Sequence, residues 1–312
     1  MSEATDENRL TSLPRPAARL GEALARPVPI AVACIVLLAG IGWLYLVLML
    51  AEWAGHDHAA ALGPGMGVFD LVTRRAGHDL IGRALIDLLC RPSFGAVGAG
   101  GHAGSAALVF LMWGAMTLAM MLPTAAGMIV TYARIADTAA RKGEKAVSPL
   151  VLTGGYIAVW LGFALAATAL QVVLTHAALL DPAMAAASPL FSGAIFIGAG
   201  IYQFTELKRA CLTRCQRPFP FFFANWSDAP RAIFRLGLRQ GIHCLGCCWA
   251  LMLAMFAVGV MNVVWMAALG LVMTAEKLTT TSRFSRIVGS AFVVIGVAFI
   301  AWSVVGRWPH VP

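Results

Sequence analysis

An all-α, polytopic transmembrane bundle of about six spans is the fold class this sequence predicts, and three observations predict it. Of 312 residues, 60% are hydrophobic and only 12% charged, with a mean hydropathy of +0.79; that is too little charge to cover a water-facing surface. The apolar residues fall in runs of about 20, the length that crosses a bilayer core as a helix. None of the runs alternates as a barrel strand would, and only helices and closed barrels satisfy a backbone in lipid.

Residues 1–28 form a polar tail containing Pro14, Pro16 and Pro27. It is too acidic for a signal-peptide head and no small-residue cleavage site follows, so the run at 29–50 is expected to be a retained anchor. Further spans are expected at 105–132, 150–176, 189–207, 241–274 and 287–305, giving one transmembrane domain over 29–306 and a short tail at 307–312. The outer loop, 54–104, carries Leu80, Ile81, Ala84, Leu85, Leu88 and Leu89 at helical spacing, opposite Asp79, Arg83 and Asp87. That pattern predicts a short interfacial helix over Asp79–Cys90. Residues 208–240 are expected to form a basic loop, because Pro218 and Pro220 oppose a continuing helix, with Phe221, Phe222 and Phe223 at the interface. The run at 241–274 would be roughly 50 Å long as one straight helix. A fold-back near Gly259 is the alternative, but no charge interrupts the run, and a single long helix is expected.

With the N-terminus in the cytoplasm and six spans, the inner segments hold 16 Lys/Arg and the outer ones 7. That bias fits a multi-pass protein of the bacterial inner membrane with both ends inside. The net charge of +8 therefore reports topology rather than nucleic-acid binding. No nucleophile triad, phosphate loop, nucleotide fingerprint or zinc-protease helix is present, so nothing indicates hydrolysis, and an enzymatic role is not what the sequence favours.

The chemistry concentrates in sulfur. Five of seven cysteines form two helix-spaced groups: Cys211 with Cys215, and Cys244 with Cys247 and Cys248, beside His243. The expected topology puts both groups at the cytoplasmic face, where a reducing compartment keeps thiols free, and thiolates are soft ligands for Cu(I), zinc or iron–sulfur clusters. A single cysteine is usually a small packing residue; five at one depth point to metal or redox chemistry. Met112, Met116 and Met120 recur every four residues, and Met252 and Met255 continue from Cys248 towards Gly259, Asn262, Met266 and Met273. Thioethers favour Cu(I), although methionine also fills cores freely. The cofactor expected is a metal ion, copper ahead of zinc, and the partners are that ion and the lipid bilayer. On the outer side His56, Asp57 and His58, with His78 and His102 on the same loop, have the types to ligate a divalent metal but read first as a solvated loop, and His176, ending a span there, fits either reading. Glu206, Lys208, Glu276 and Lys277 read as boundary residues that snorkel.

Taken in order, MWGAMTLAMMLP, IYQFTELKRACLTRC, HCLGCCWALM, MNVVWM and EK resemble an uncharacterised bacterial family of predicted metal-binding integral membrane proteins. The resemblance covers roughly residues 105 to 278. It implies a polytopic helical protein that binds metal through its cysteine motifs. The matching positions are Met112, Trp113, Met116, Met120, Met121, Pro123, Tyr202, Gln203, Lys208, Cys211, Cys215, Cys244, Gly246, Cys247, Cys248, Trp249, Met252, Met261, Asn262, Trp265, Met266, Glu276 and Lys277. Gly127 departs from it, where the family carries a second proline. Three readings stay open: a soft-metal membrane protein, a thiol or metal oxidoreductase, and an assembly subunit whose Cys and Met only pack.

Overall fold

The computed structural model describes residues 27–54, 102–180, 184–279 and 281–305, and every regular element among them is a helix. The helices are α1 (Pro27–Ala54), α2 (His102–Arg141), α3 (Pro149–His176), α4 (Pro189–Tyr202), α5 (Glu206–Gln216), α6 (Pro218–Ala224), α7 (Pro230–Leu253), α8 (Met255–Val258), α9 (Val263–Leu278) and α10 (Ser282–Val305). The expected interfacial helix at Asp79–Cys90, and His56, Asp57, His58 and His78, lie outside the described residues. Five stretches are long and apolar enough to cross a membrane: Pro27–Met49, Ala106–Arg141, Pro149–His176, Pro230–Val258 and Ser282–Val305.

Local chemistry sets the ends and breaks. Ser148, Ser188 and Thr205 cap α3, α4 and α5, each hydroxyl accepting a first-turn N–H. Pro123 sits inside α2 and cannot donate to the carbonyl four residues earlier. That carbonyl, on Ala119, instead accepts the Trp43 indole N–H of α1 at 3.0 Å. The expected span at 189–207 ends early, since α4 stops at Tyr202 and α5 departs at 64°. The basic stretch 208–240 is not a loop: it holds most of α5, all of α6 and the first turns of α7, with Pro218 and Pro230 in opening turns where a missing N–H costs nothing.

The largest correction concerns 241–274. The helix begins at Pro230, loosens at Ala254 and ends at Gly259, whose φ of 103° only glycine adopts without strain. Asn262 then caps α9, its Oδ1 accepting the Trp265 N–H at 3.1 Å. The chain reverses here. Met120 meets Gly270 and Thr124 meets Lys277, so α9 runs parallel to α2, whereas Gly155 against Gly237 and Tyr156 against Gly241 make α7 parallel to α3. Tyr132 on Val147 and Tyr156 on Met121 show α2 and α3 to be antiparallel. Hence α7 and α9 form a hairpin, its turn held on the 184–192 segment by Ala186 N–H to Phe256 O (2.8 Å) and the Ser192 hydroxyl to Ala257 O (3.1 Å). Glu276 and Lys277 return to the cysteine end of the bundle, opposite to the side expected of them. The methionine row that continued past Gly259 is accordingly divided between two helices.

Glycine governs the close crossings. Gly237 and Gly241, four apart on α7, pack on Leu152, Tyr156 and Val159 of α3; a Cβ on Gly241 would sit 2.9 Å from Val159 Cβ. Gly193 and Gly200 of α4 meet Gly296 and Gly289 of α10 in the same manner.

Candidate metal centre

The face of α7 that carries Gly237 and Gly241 continues at helical spacing through Cys244 and Cys248. Because the glycines bring α3 and α7 into backbone contact, Cys244 is delivered onto Tyr156, with Sγ and hydroxyl 3.0 Å apart. Cys244, Cys247 and Cys248 are buried, and their sulfurs all lie within 4.8 Å of one another. The Cys247 and Cys248 sulfurs are 3.4 Å apart, and the Cys247 thiol donates to the Cys244 carbonyl at 3.1 Å.

A fourth sulfur comes from α5. Cys215 Sγ lies 4.0 Å from Cys247 Sγ. The approach of α5 to α7 is set at Gly246, where an added Cβ would stand 2.6 Å from Cys211 Sγ. Cys211 therefore serves as the packing partner of Gly246 and is not one of the three clustered thiols. His243 also points away: its Nε2 accepts from Arg214 Nη1 at 3.1 Å, and its ring meets Phe221 edge-on. Of the six expected cytoplasmic-face ligands, three form the buried cluster, Cys215 borders it, and Cys211 and His243 stand aside.

Three residues around Cys244 complete the surroundings. Lys277 Nζ donates to Cys244 Sγ at 3.1 Å and to Thr124 Oγ1 at 2.6 Å. The Tyr156 hydroxyl reaches both Cys244 Sγ and the Met121 carbonyl. Tyr156 was not legible as a site residue, since an aromatic in an apolar run signals packing. Lys277 read as a snorkelling end only because its helix was expected to continue outward. Beside it, Lys208 and Glu276 are each 1% exposed and pair at 2.8 and 2.9 Å through both carboxylate oxygens, with Gln203 Oε1 also on the ammonium. Gln216 ties α5 to the end of α9 by donating to the Glu276 and Thr279 carbonyls.

Met112, Met116, Met120, Met252 and Met255 are all buried. Met120 packs on Gly270, at the level of the thiols, and Met116 and Met112 step outward by about 6 Å per turn. The tilted contact of Trp113 with Phe256, ring centroids 5.4 Å apart, places the Met112 level beside the α7–α8 turn that bears Met252 and Met255. Both rows thus occupy one slab of the core. His176 ends α3 at the far end of the bundle from the cluster.

The donor set fits a soft metal. A metal–sulfur distance of about 2.3 Å sets sulfurs roughly 3.8 Å apart around a tetrahedral ion, so the present spacings, all within 4.8 Å, need to change by no more than about 1 Å. A thiolate set also carries negative charge that the Lys277 ammonium offsets. A family model described as PpoB2, copper chaperone, matches residues 110–299. No curated protein and no solved structure matches the chain.

Proposed function

The chain belongs to the PpoB2 copper chaperone family, and from that premise we propose that it is a membrane-embedded Cu(I) carrier whose cargo is held by Cys244, Cys247 and Cys248. The observation that carries this reading is the buried three-thiol cluster with a lysine donating into it. Thiolates are soft ligands that suit Cu(I) ahead of harder cations, and burial keeps water and oxidants from the bound ion. Cys215, less buried and on another helix, is the ligand through which cargo arrives or leaves by sulfur-for-sulfur exchange. The two methionine rows extend soft donors from the cluster towards the opposite membrane face. Zinc is the alternative cargo. The orientation that suits a cytoplasmic, reducing supply places the cluster at the inner face of the bacterial cytoplasmic membrane.

The test is titration of reduced, detergent-purified protein with Cu(I) against a chromophoric Cu(I) chelator. We expect a buffered ion to be withdrawn by the wild type, and the Cys247→Ser, Cys248→Ser double variant to weaken retention more than about 100-fold. Cys211→Ser, outside the cluster, should remain within about threefold of the wild type. A double variant that competes as well as the wild type would sink the assignment, as would a wild type that never competes.

A further inference from the structure

A second polar feature lies at the cysteine end of the bundle, between α5 and the start of α10. A cavity of about 400 Å³ is bounded there by Gln203, Lys208, Arg209, Ser282, Ser285 and Arg286, among others, and among the described residues no Asp or Glu lines it. Lys208 is neutralised by Glu276, and Arg209 pairs with Glu206. Arg286 makes no ion pair among the described residues. Two helices begin at this cavity, α5 at Glu206 and α10 at Ser282, and each contributes the partial positive charge of its N-terminus. A separate observation points to a ligand. Gln203, one of the lining residues, is 5% exposed; its Oε1 is taken by the Lys208 ammonium, and its buried Nε2 has no partner among the described residues. A buried donor left unmade is costly, and a turn of this amide towards the cavity would let a bound acceptor relieve it.

We propose that this cavity binds a phosphate-type oxyanion, presented by the headgroup of an anionic phospholipid. Arg286 supplies uncompensated charge and a fork for phosphate oxygens, Arg209 adds N–H donors while paired with Glu206, Ser282 and Ser285 supply hydroxyls, and the α10 N-terminus supplies backbone donors. The lipid source, rather than free phosphate, follows from the flanks: Ile201, Phe204, Leu207 and Ile287 are all exposed apolar side chains next to the polar wall. Acyl chains cover such a surface while the headgroup enters the basic pocket.

Native mass spectrometry of protein exchanged into defined detergent–lipid mixtures tests this. Phosphatidylglycerol should be retained at least about tenfold better than phosphatidylcholine of the same acyl chains. Arg209→Gln with Arg286→Gln should remove most of that preference, and so should Gln203→Glu, an isosteric change that sets a carboxylate on the wall. The thermal unfolding midpoint in detergent checks that each variant is folded, independently of any copper measurement. Stabilisation by inorganic phosphate alone, lost in the same variants, would keep the oxyanion site and replace its source. Equal retention of both lipids with no response to phosphate, or retention unchanged in folded variants, overturns the proposal.

Discussion

Around Cys244 one sulfur accepts a hydrogen bond from the Lys277 ammonium and lies 3.0 Å from the Tyr156 hydroxyl, whose own proton goes to the Met121 carbonyl, so the lysine sets a positive charge directly beside the sulfur. Lys277→Met should therefore weaken Cu(I) retention by about tenfold to 100-fold, measured by the same chelator competition, while Tyr156→Phe should weaken it less because only a neutral polar contact is lost. Equal affinity in Lys277→Met would remove the charge-compensating role. The Lys208–Glu276 pair makes a different prediction. Breaking it from one side, as in Lys208→Met, leaves a buried carboxylate uncompensated and should cost about 3–5 kcal/mol in unfolding free energy. Lys208→Met with Glu276→Gln should recover most of that loss in a denaturant titration. At this scale the cysteines were legible in the sequence because their spacing is local. Tyr156, Lys277 and Glu276 were not, because what each touches is decided by packing between helices, through the α3–α7 crossing for Tyr156 and the chain reversal at 259–262 for Glu276 and Lys277.

The hairpin of α7 and α9 shows what helical pattern can and cannot convey. Hydropathy located α3 to within a residue of its ends, since capping Ser148 and Pro149 mark its start. The same signal could not find the reversal at 259–262. A turn made of Gly259, Val260, Met261 and Asn262 and buried against 184–192 needs no polar residues for solvent, only a left-handed glycine and a cap. The basic stretch before Gly241 misled for the opposite reason: Arg231, Arg235 and Arg239 recur every four residues, one exposed stripe of a helix whose other face is already in the bundle. Element packing also yields a test. Gly246→Ala should push Cys211 outward and carry α5 and Cys215 with it, slowing cargo exchange with the chelator while leaving the three-thiol affinity within about threefold. Exchange at the wild-type rate would show that α5 is not part of the path. Met116→Leu with Met252→Leu keeps volume nearly constant and should leave the fold intact at a cost below about 1.5 kcal/mol. Any loss of copper delivery in that variant then reports sulfur rather than packing.

For the molecule as a whole, the reversal changes what the charge distribution says. Residues 275–286 move to the side of 208–240, and the tail after α10 moves to the other. Among the described residues all 14 Lys/Arg then fall on the cysteine side, whereas the six-span arrangement had put Lys277, Arg283 and Arg286 on the other. The expected outcome is that reporters fused in the 225–229 loop and after Val305 report opposite sides of the membrane in intact cells. The same side for both would restore an even number of crossings. The fold class was legible from composition alone; the number of crossings was not, because α9 is 16 residues long and too short to register as a span by itself.

The 64° departure of α5 from α4 has a mechanical consequence. α5 is held at its start by the Thr205 cap and at its far end by Gln216, and between them it carries Lys208, Cys211 and Cys215. This short helix therefore stands between the thiol cluster on one side and the basic cavity on the other. Any displacement of it would alter the Cys215–Cys247 gap and the Arg209 wall together, without requiring the long helices to repack. Gating would then cost the displacement of eleven residues rather than the repacking of a bundle.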